Sequence, residues 1–327
     1  MRRAICLVLL TLGIFGVALG LLLRFYAYPK LAVAPLDPKA KTVAQGTGIT
    51  VFYPGDLKQR TDVTLTATRR IEGKIDSPDA KVNGDVAVWQ MGLVTEDENG
   101  TLVDAVDQWV CVDRRTARAV QPCTDQRVNQ DTNVQATGLQ YKFPFNTHKH
   151  DYAFYDVVTR QAPPMHFDGQ EVINGLSVYR FVQTIPATKI ADIDVPGNLA
   201  GGTTTETVSA GRMYQNVRTV WVEPYTGSIV KGQEKQRQFL RGPDGRDGTV
   251  LLDGTLTFTP DTVNAQVADA KKNSAKVRLL YQTGPRLLIG LGVLFLLAGL
   301  AVILVPRRSS APSGRPVRYR HEMAGTA

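Results

Sequence analysis

The chain has 327 residues, 43% of them hydrophobic, and a formal net charge of +8. Arg2 and Arg3 supply two of those charges, and Arg307, Arg308, Arg315, Arg318 and Arg320, less Glu322, supply four more, which leaves the long middle at about +2. A charge concentrated at the ends and nearly balanced between them excludes a nucleic-acid-binding surface as the reason for the basic composition.

The first element in the chain is apolar. Ile5 to Leu23 is a run of about 19 residues without a charge, which as a helix spans roughly 29 Å, enough for a hydrocarbon core. Ala32-Val33-Ala34 has the look of a signal-peptidase box. The run is longer than a usual signal core, Arg24, Phe25, Tyr26, Tyr28 and Lys30 separate it from the box as interfacial anchors do, and Pro35 follows the box. The expectation is a retained anchor. A second run of the same kind, Leu287 to Val305, lies near the other end. Basic residues flank both runs on the terminal sides, which predicts a two-pass plasma-membrane protein with both termini cytoplasmic. The predicted divisions are a cytoplasmic N-terminus at 1–4, a membrane helix at 5–23, an extracytoplasmic domain at 24–286, a membrane helix at 287–305 and a basic cytoplasmic tail at 306–327. Anionic lipid headgroups are the expected contacts of that tail.

The middle reads as strands. "DVTLTATRRIEG" puts Val63, Leu65 and Ala67 on one face and threonines on the other. "DVAVWQMGLVTED" puts Trp89, Met91 and Leu93 on one face and Val86, Val88 and Val94 on the other, so it is covered on both sides or lines an internal space. Asn99-Gly100 predicts a type I′ hairpin returning through "TLVDAVDQWVCV". Cys111 and Cys123 are the two cysteines outside the apolar runs. In an oxidising compartment they are expected to pair, closing a short loop that contributes about 3 kcal/mol in the loop-entropy account. Cys6, inside the first run, is read as a small apolar residue.

"LQYKFPFNTHKHDYAFYD" alternates Tyr141, Phe143 and Phe145 with Lys142 and Pro144, then Tyr152 and Phe154 after a loop. This predicts a strand pair with the aromatics on a common face and an edge or bulge at Pro144. His148 and His150 fall in the loop; H-x-H without a third ligand nearby predicts no metal site. Further strands are "LSVYRFVQTI", with Ser177, Tyr179, Phe181 and Ile185 on one side, then "RTVWVEP", "SIVKGQEKQRQFL" and "TVLLDGTLTFT". "AGGTTTETVSAG" is read as a mobile loop. Thr259 as N-cap with Pro260 in the first turn predicts a helix ending near Gly284-Pro285, with Val263, Val267, Ala270 and Val277 on one face. The fold class is therefore mainly β, a β-barrel-like or β-sandwich-like ectodomain between two transmembrane helices, with a helix before the second. G-x-S-x-G, H-E-x-x-H and Walker glycine-loop motifs are all missing, so neither an enzyme nor a cofactor is expected.

"LRFYAYPKLAVAPLD", "YKFPFNTHKHDYAFYD", "INGLSVYRFVQTIP" and "RTVWVEPYTGSIVKGQEKQ" together resemble the actinobacterial envelope family labelled "porin PorA family", which includes the LmcA-type proteins linked to lipomannan and lipoarabinomannan synthesis. Nearly the full chain shares the resemblance, with Asn146 standing where the family pattern calls for glycine after "KFPF". It implies an elongated β-rich ectodomain enclosing an apolar lipid-binding space and acting in lipoglycan assembly. Val88, Trp89, Phe143, Tyr179, Phe181 and Trp221 are the candidate walls of that space. The implied partners are a membrane lipid or lipid-linked glycan, with an envelope glycosyltransferase as the partner if the protein is instead a scaffold. The family label fits a membrane β-barrel poorly here, because these strands lie between two membrane helices.

Overall fold

The structure is a computed structural model that describes residues 2–82 and 84–305, so the arginine-rich tail expected to meet lipid headgroups lies outside the described residues. The chain forms two compact units.

One unit is the pair of apolar helices, Arg2–Leu22 and Gly284–Leu304. Many of their large apolar side chains point outward, with Leu7, Phe15, Leu294 and Leu297 about 60% exposed. Long helices with apolar side chains turned to the surroundings are suited to hydrocarbon, and both are long and apolar enough to cross a membrane. Their mutual contact is built from small residues. A Cβ on Gly13 would stand 2.8 Å from the carbonyl oxygen of Gly292, and one on Gly292 would stand 2.7 Å from that of Gly13. The backbones therefore touch, as in membrane helix pairs where packing has to replace the hydrophobic drive. Cys6 is buried here, its thiol 3.5 Å from the carbonyl of Gly299.

The second unit, Leu23–Thr283, carries the strands. They are β1 (Lys39–Tyr53), β2 (Lys58–Gly73), β3 (Val86–Asp97), β4 (Leu102–Asp113), β5 (Arg127–Val128), β6 (Tyr152–Ala153), β7 (Pro164–Ile173), β8 (Leu176–Pro196), β9 (Thr207–Glu223), β10 (Ser228–Arg241) and β11 (Asp247–Phe258). They form one curled sheet, a half-barrel, in the order β5-β4-β3-β2-β1-β11-β10-β9-β8-β7-β6. Every pairing is antiparallel, and the two halves join at a central seam where β1 meets β11, with Ala44 opposite Phe258. β2 follows its alternation: Val63, Leu65 and Ala67 are buried. With Ile49, Val51 and Leu252, Val63 and Leu65 close one end of the concave face. The helix Pro260–Arg278 is capped by Thr259, whose side chain accepts from Thr262 N. It lies on the convex face, where Val267 and Ala270 pack on Val178, Trp221 and Val230.

Between β4 and β7 the chain has little strand. Instead it fills the concave side near the other end. Leu139, Phe143, Tyr152 and Phe154 pack on Met165, Phe181, Val220 and Val222. Tyr155 and Ala136 pack on Ala87, Trp89, Val110 and Val112. Phe154 and Tyr155, adjacent in sequence, thus serve opposite halves of the sheet, and the segment is a brace between them. The Cys111–Cys123 disulfide secures its start.

Three expectations are corrected. The strand pair at 141–154 does not form: only Tyr152 and Ala153 are strand, paired with Met165 and Pro164. Tyr141 and Asn146 take left-handed φ values of 57° and 55°, and the intervening backbone is spent on the β9–β10 turn. There Phe143 N donates to Gly227 O at 2.8 Å and Thr147 N donates to Pro224 O at 2.7 Å. Gly227 is required at that contact, since its φ is +72° and a Cβ would lie 2.0 Å from the carbonyl oxygen of Phe143. The β3–β4 turn is a three-residue loop rather than type I′. Only Gly100 is left-handed, at φ +77°. Asp97 holds the loop by accepting from Asn99 N and Thr101 N, and the register shifts beside it between Thr95 and Glu96. Finally, the expected loop at 200–211 ends early, because β9 begins at Thr207 and its long pairing with β8 extends to Pro196.

Candidate ligand cavity inside the curled sheet

Because the sheet curls and the brace fills only part of its concave face, a cavity of about 160 Å³ remains. Inward positions of both halves supply its wall. β3 and β4 give Met91, Leu93 and Val106, and β11 gives Leu256 and Phe258. β2 gives Arg69, β9 gives Tyr214 and Arg218, and β10 gives Glu234, Gln236 and Gln238. The brace adds Tyr141 and Tyr155.

The polar side of the wall is an ion network. Arg218 donates to Asp156 at 2.9 Å and to Glu234 at 2.9 Å, and its remaining nitrogen donates to Gln183 at 2.9 Å. Asp156 is fully buried. One of its oxygens caps the brace by accepting from Val158 N, Thr159 N and Thr159 Oγ1, and the other meets Arg218 and the Tyr214 hydroxyl. Glu234 also accepts from Asn216 at 3.0 Å and Gln236 at 2.7 Å. Burial alone would raise the Glu234 carboxyl, but the Arg218 charge and these hydrogen bonds outweigh it and bring it down to about 2. Burial would lower Arg218, and the paired carboxylates raise it instead. Arg218 and Glu234 are thus both charged at neutral pH.

Two groups in the wall are less committed. Among the described residues, Arg69 forms one hydrogen bond, Nε to Thr42 Oγ1 at 3.4 Å, and burial lowers its pKa. Tyr155 is 5% exposed, and its hydroxyl has no hydrogen-bond partner among the described residues. Burial pushes that hydroxyl up to about 12, so it is a neutral donor. Asp104 also lines the cavity; burial raises its carboxyl, yet the residue is exposed.

None of the six residues expected to wall a ligand space lines this cavity. Val88 is on the opposite face of β3, paired with Cys111. Trp89 packs with Val110 and Tyr155. Phe143 and Phe181 stack at 4.6 Å between ring centres in the filled aromatic core, with Tyr179 at its edge. Trp221 is on the convex face under the helix, its ring nitrogen donating to Glu171 at 2.8 Å. Those six pack against neighbours, and the cavity lies where polar groups of β9 and β10 face inward beside other aromatic and aliphatic side chains. The signal that finds Arg218 and Glu234 is a charged residue at an inward register position, Tyr214-x-Asn216-x-Arg218-x-Val220 on β9 facing Glu234-x-Gln236-x-Gln238 on β10.

The histidine loop has its own local bonds. His150 Nδ1 pairs with Asp151 O at 2.7 Å, His148 Nε2 with the Asn146 amide at 3.3 Å, and His166 Nδ1 with Asp151 Oδ2 at 2.8 Å.

Residues 5–301 match a family model described as "Porin PorA". A Corynebacterium amycolatum protein named "Porin PorA" is 26% identical over 312 residues, covering 75% of this chain and 80% of that protein. One of the same name from Corynebacterium resistens is 26% identical over 289 residues, covering 65% and 69%. Among solved structures, an exported protein with a YmcC-like fold from Bacteroides fragilis covers 69% of this chain and 96% of its own at 8% identity and a TM-score of 0.22, too low to carry an argument.

Proposed function

The chain belongs to the PorA family, and from that premise we propose that it is a non-enzymatic envelope protein that holds part of a membrane lipid, or of a lipid-linked glycan, inside its curled sheet during lipoglycan assembly. The carrying observation is the cavity itself, enclosed by inward side chains of both halves of the sheet with Arg69 in its wall. Met91, Leu93, Val106 and Phe258 offer such a ligand an apolar surface. Cavities near 150 Å³ take a guest about the size of benzene, so the site suits a segment of a lipid, with the remainder outside it.

The names of the relatives favour a second reading, a channel. The strands of this chain do not have the outer surface of a membrane barrel. β2 turns Thr64, Thr66 and Thr68 away from the core, where a barrel in hydrocarbon needs an apolar girdle. The helices are the membrane elements, with both termini cytoplasmic and the sheet extracytoplasmic. Reporter fusions at Ala327 and near Gly202 test that orientation, which an externally active reporter at Ala327 overturns.

The lipid reading is tested by extracting the purified full chain and identifying retained lipid by mass spectrometry. Leu93→Trp, which fills the cavity, should abolish retention while the protein stays folded. A folded wild type that neither retains nor takes up envelope lipid overturns the reading, and conductance across a planar bilayer would favour the channel.

A further inference from the structure

On the convex side, a recess of about 860 Å³ lies between the helix Pro260–Arg278 and the β9–β10 turn. The helix gives it one face: Lys271, Ser274, Ala275 and Arg278, spaced by three and four residues, continued by Gln282. The brace contributes Lys149 from the other side. Tyr179 and Tyr225 line it, with Lys149 Nζ 5.2 Å from the ring centre of Tyr179 and Arg278 Cζ 6.0 Å from that of Tyr225.

The charge in this recess is unbalanced. Among the described residues, Lys149, Lys271 and Arg278 form no ion pair within 4.0 Å. Lys271 donates once, to Asn174 O at 2.6 Å, which leaves its other protons free. The single carboxylate in the lining is Glu223, and it is turned inward. It is 1% exposed, one oxygen accepts from Tyr225 N, and the other accepts from Thr226 N and Oγ1. Three flexible cations against one committed carboxylate make a concave, cationic seat with an aromatic wall.

Its place in the chain identifies the occupant. Tyr225 donates to Gln282 at 3.1 Å, and the Asn146 amide donates to the Tyr281 hydroxyl at 3.3 Å, so the segment Leu279–Thr283 is fastened to the recess. The next residue, Gly284, begins the apolar helix. In sequence, Arg278 precedes Gly284 by six residues, so the basic residues of the seat stand just before the apolar run. We propose that the recess binds the phosphate headgroup of an anionic membrane phospholipid, through Lys271, Arg278 and Lys149. The site uses no residue of the interior cavity and stands independently of the lipid held there.

The test uses the full chain in phosphatidylcholine mixed micelles, titrated with phosphatidylglycerol, with bound lipid counted by native mass spectrometry. The wild type should retain phosphatidylglycerol over phosphatidylcholine. Lys271→Gln and Arg278→Gln should each weaken that preference by about fivefold, the weight of one basic residue at a membrane surface. Lys149→Gln, on the opposite wall, should do the same without touching the helix, and Lys58→Gln should leave the preference unchanged. Leu93→Trp should also leave it unchanged, which separates this site from the cavity. Equal retention by wild type and the recess variants overturns the proposal. So does displacement of phosphatidylglycerol by inorganic phosphate at matched concentration, since the seat would then serve a free anion.

Discussion

Arg218 on β9 and Asp156 in the brace meet at 2.9 Å across 62 residues of chain. The pair joins the irregular segment to the sheet from inside, where neither water nor salt can compensate for its loss. A buried pair like this contributes little over an apolar replacement, but removing one partner leaves an uncompensated charge.

Arg218→Met should therefore cost about 3–5 kcal/mol of stability, because the fully buried Asp156 is left without a counter-charge and the partly buried Glu234 loses its ion pair. Denaturant unfolding of the full chain in detergent measures it. Adding Asp156→Asn to Arg218→Met should recover part of the loss, and simple additivity of the two changes would show that the pair is not coupled.

Acid stability should follow Glu234. Its carboxyl titrates near 2 in the folded protein against an ordinary 4.5. A depressed folded value means that the unfolded chain binds more protons in between. The stabilisation is thus complete above 4.5 and is lost as pH falls toward 2. Thermal melts across that range should show a slope that Glu234→Gln flattens.

Lys142 should act on the alkaline side. Burial pushes its ammonium from 10.5 down to about 7, while its nitrogen donates to Phe143 O at 2.8 Å and lies 4.1 Å from the ring centre of Phe145. The unfolded chain again holds the extra proton between these values, so stability rises with pH across that window. Lys142→Met should remove the rise; an unchanged alkaline slope would show that the lysine titrates normally.

The helix pair makes a contrast within one helix. A Cβ at Gly292 would lie 2.8 Å from Val17 N, whereas one at Gly290 would meet nothing within 4 Å. Gly292→Leu should lower the melting temperature in detergent by several degrees, and Gly290→Leu should leave it nearly unchanged.

Alternation and spacing made the sheet legible. Val63, Leu65 and Ala67 alternate with threonines, and they are the buried face of β2. Thr259-Pro260 marked the start of a helix, and Cys111 with Cys123 marked a bond that exists. The brace was not legible, because alternating aromatics such as Tyr141, Phe143 and Phe145 carry the same pattern as a strand. What defeats the strand is remote, a contact between Phe143 and Gly227 that no local pattern encodes. The cavity was hidden for a related reason. Period-two reading assigns Phe181 and Leu93 to inward faces, but only the curl of the sheet and the reach of the brace decide that Phe181 meets a neighbour and Leu93 meets space.

The seam between β1 and β11 sets an order on synthesis. β1 is among the first parts of the sheet to be made, and its partner β11 is the last. Until Asp247 and the strand it opens have emerged, the nascent chain has two long unpaired edges, β1 and β10, and the two half-sheets have no hydrogen bonds across their junction. Closure then depends on contacts between residues as far apart as Ala44 and Phe258, a slow step for any chain. A product truncated before Asp247 keeps both edges permanently, and is the form of this protein most prone to aggregate edge to edge.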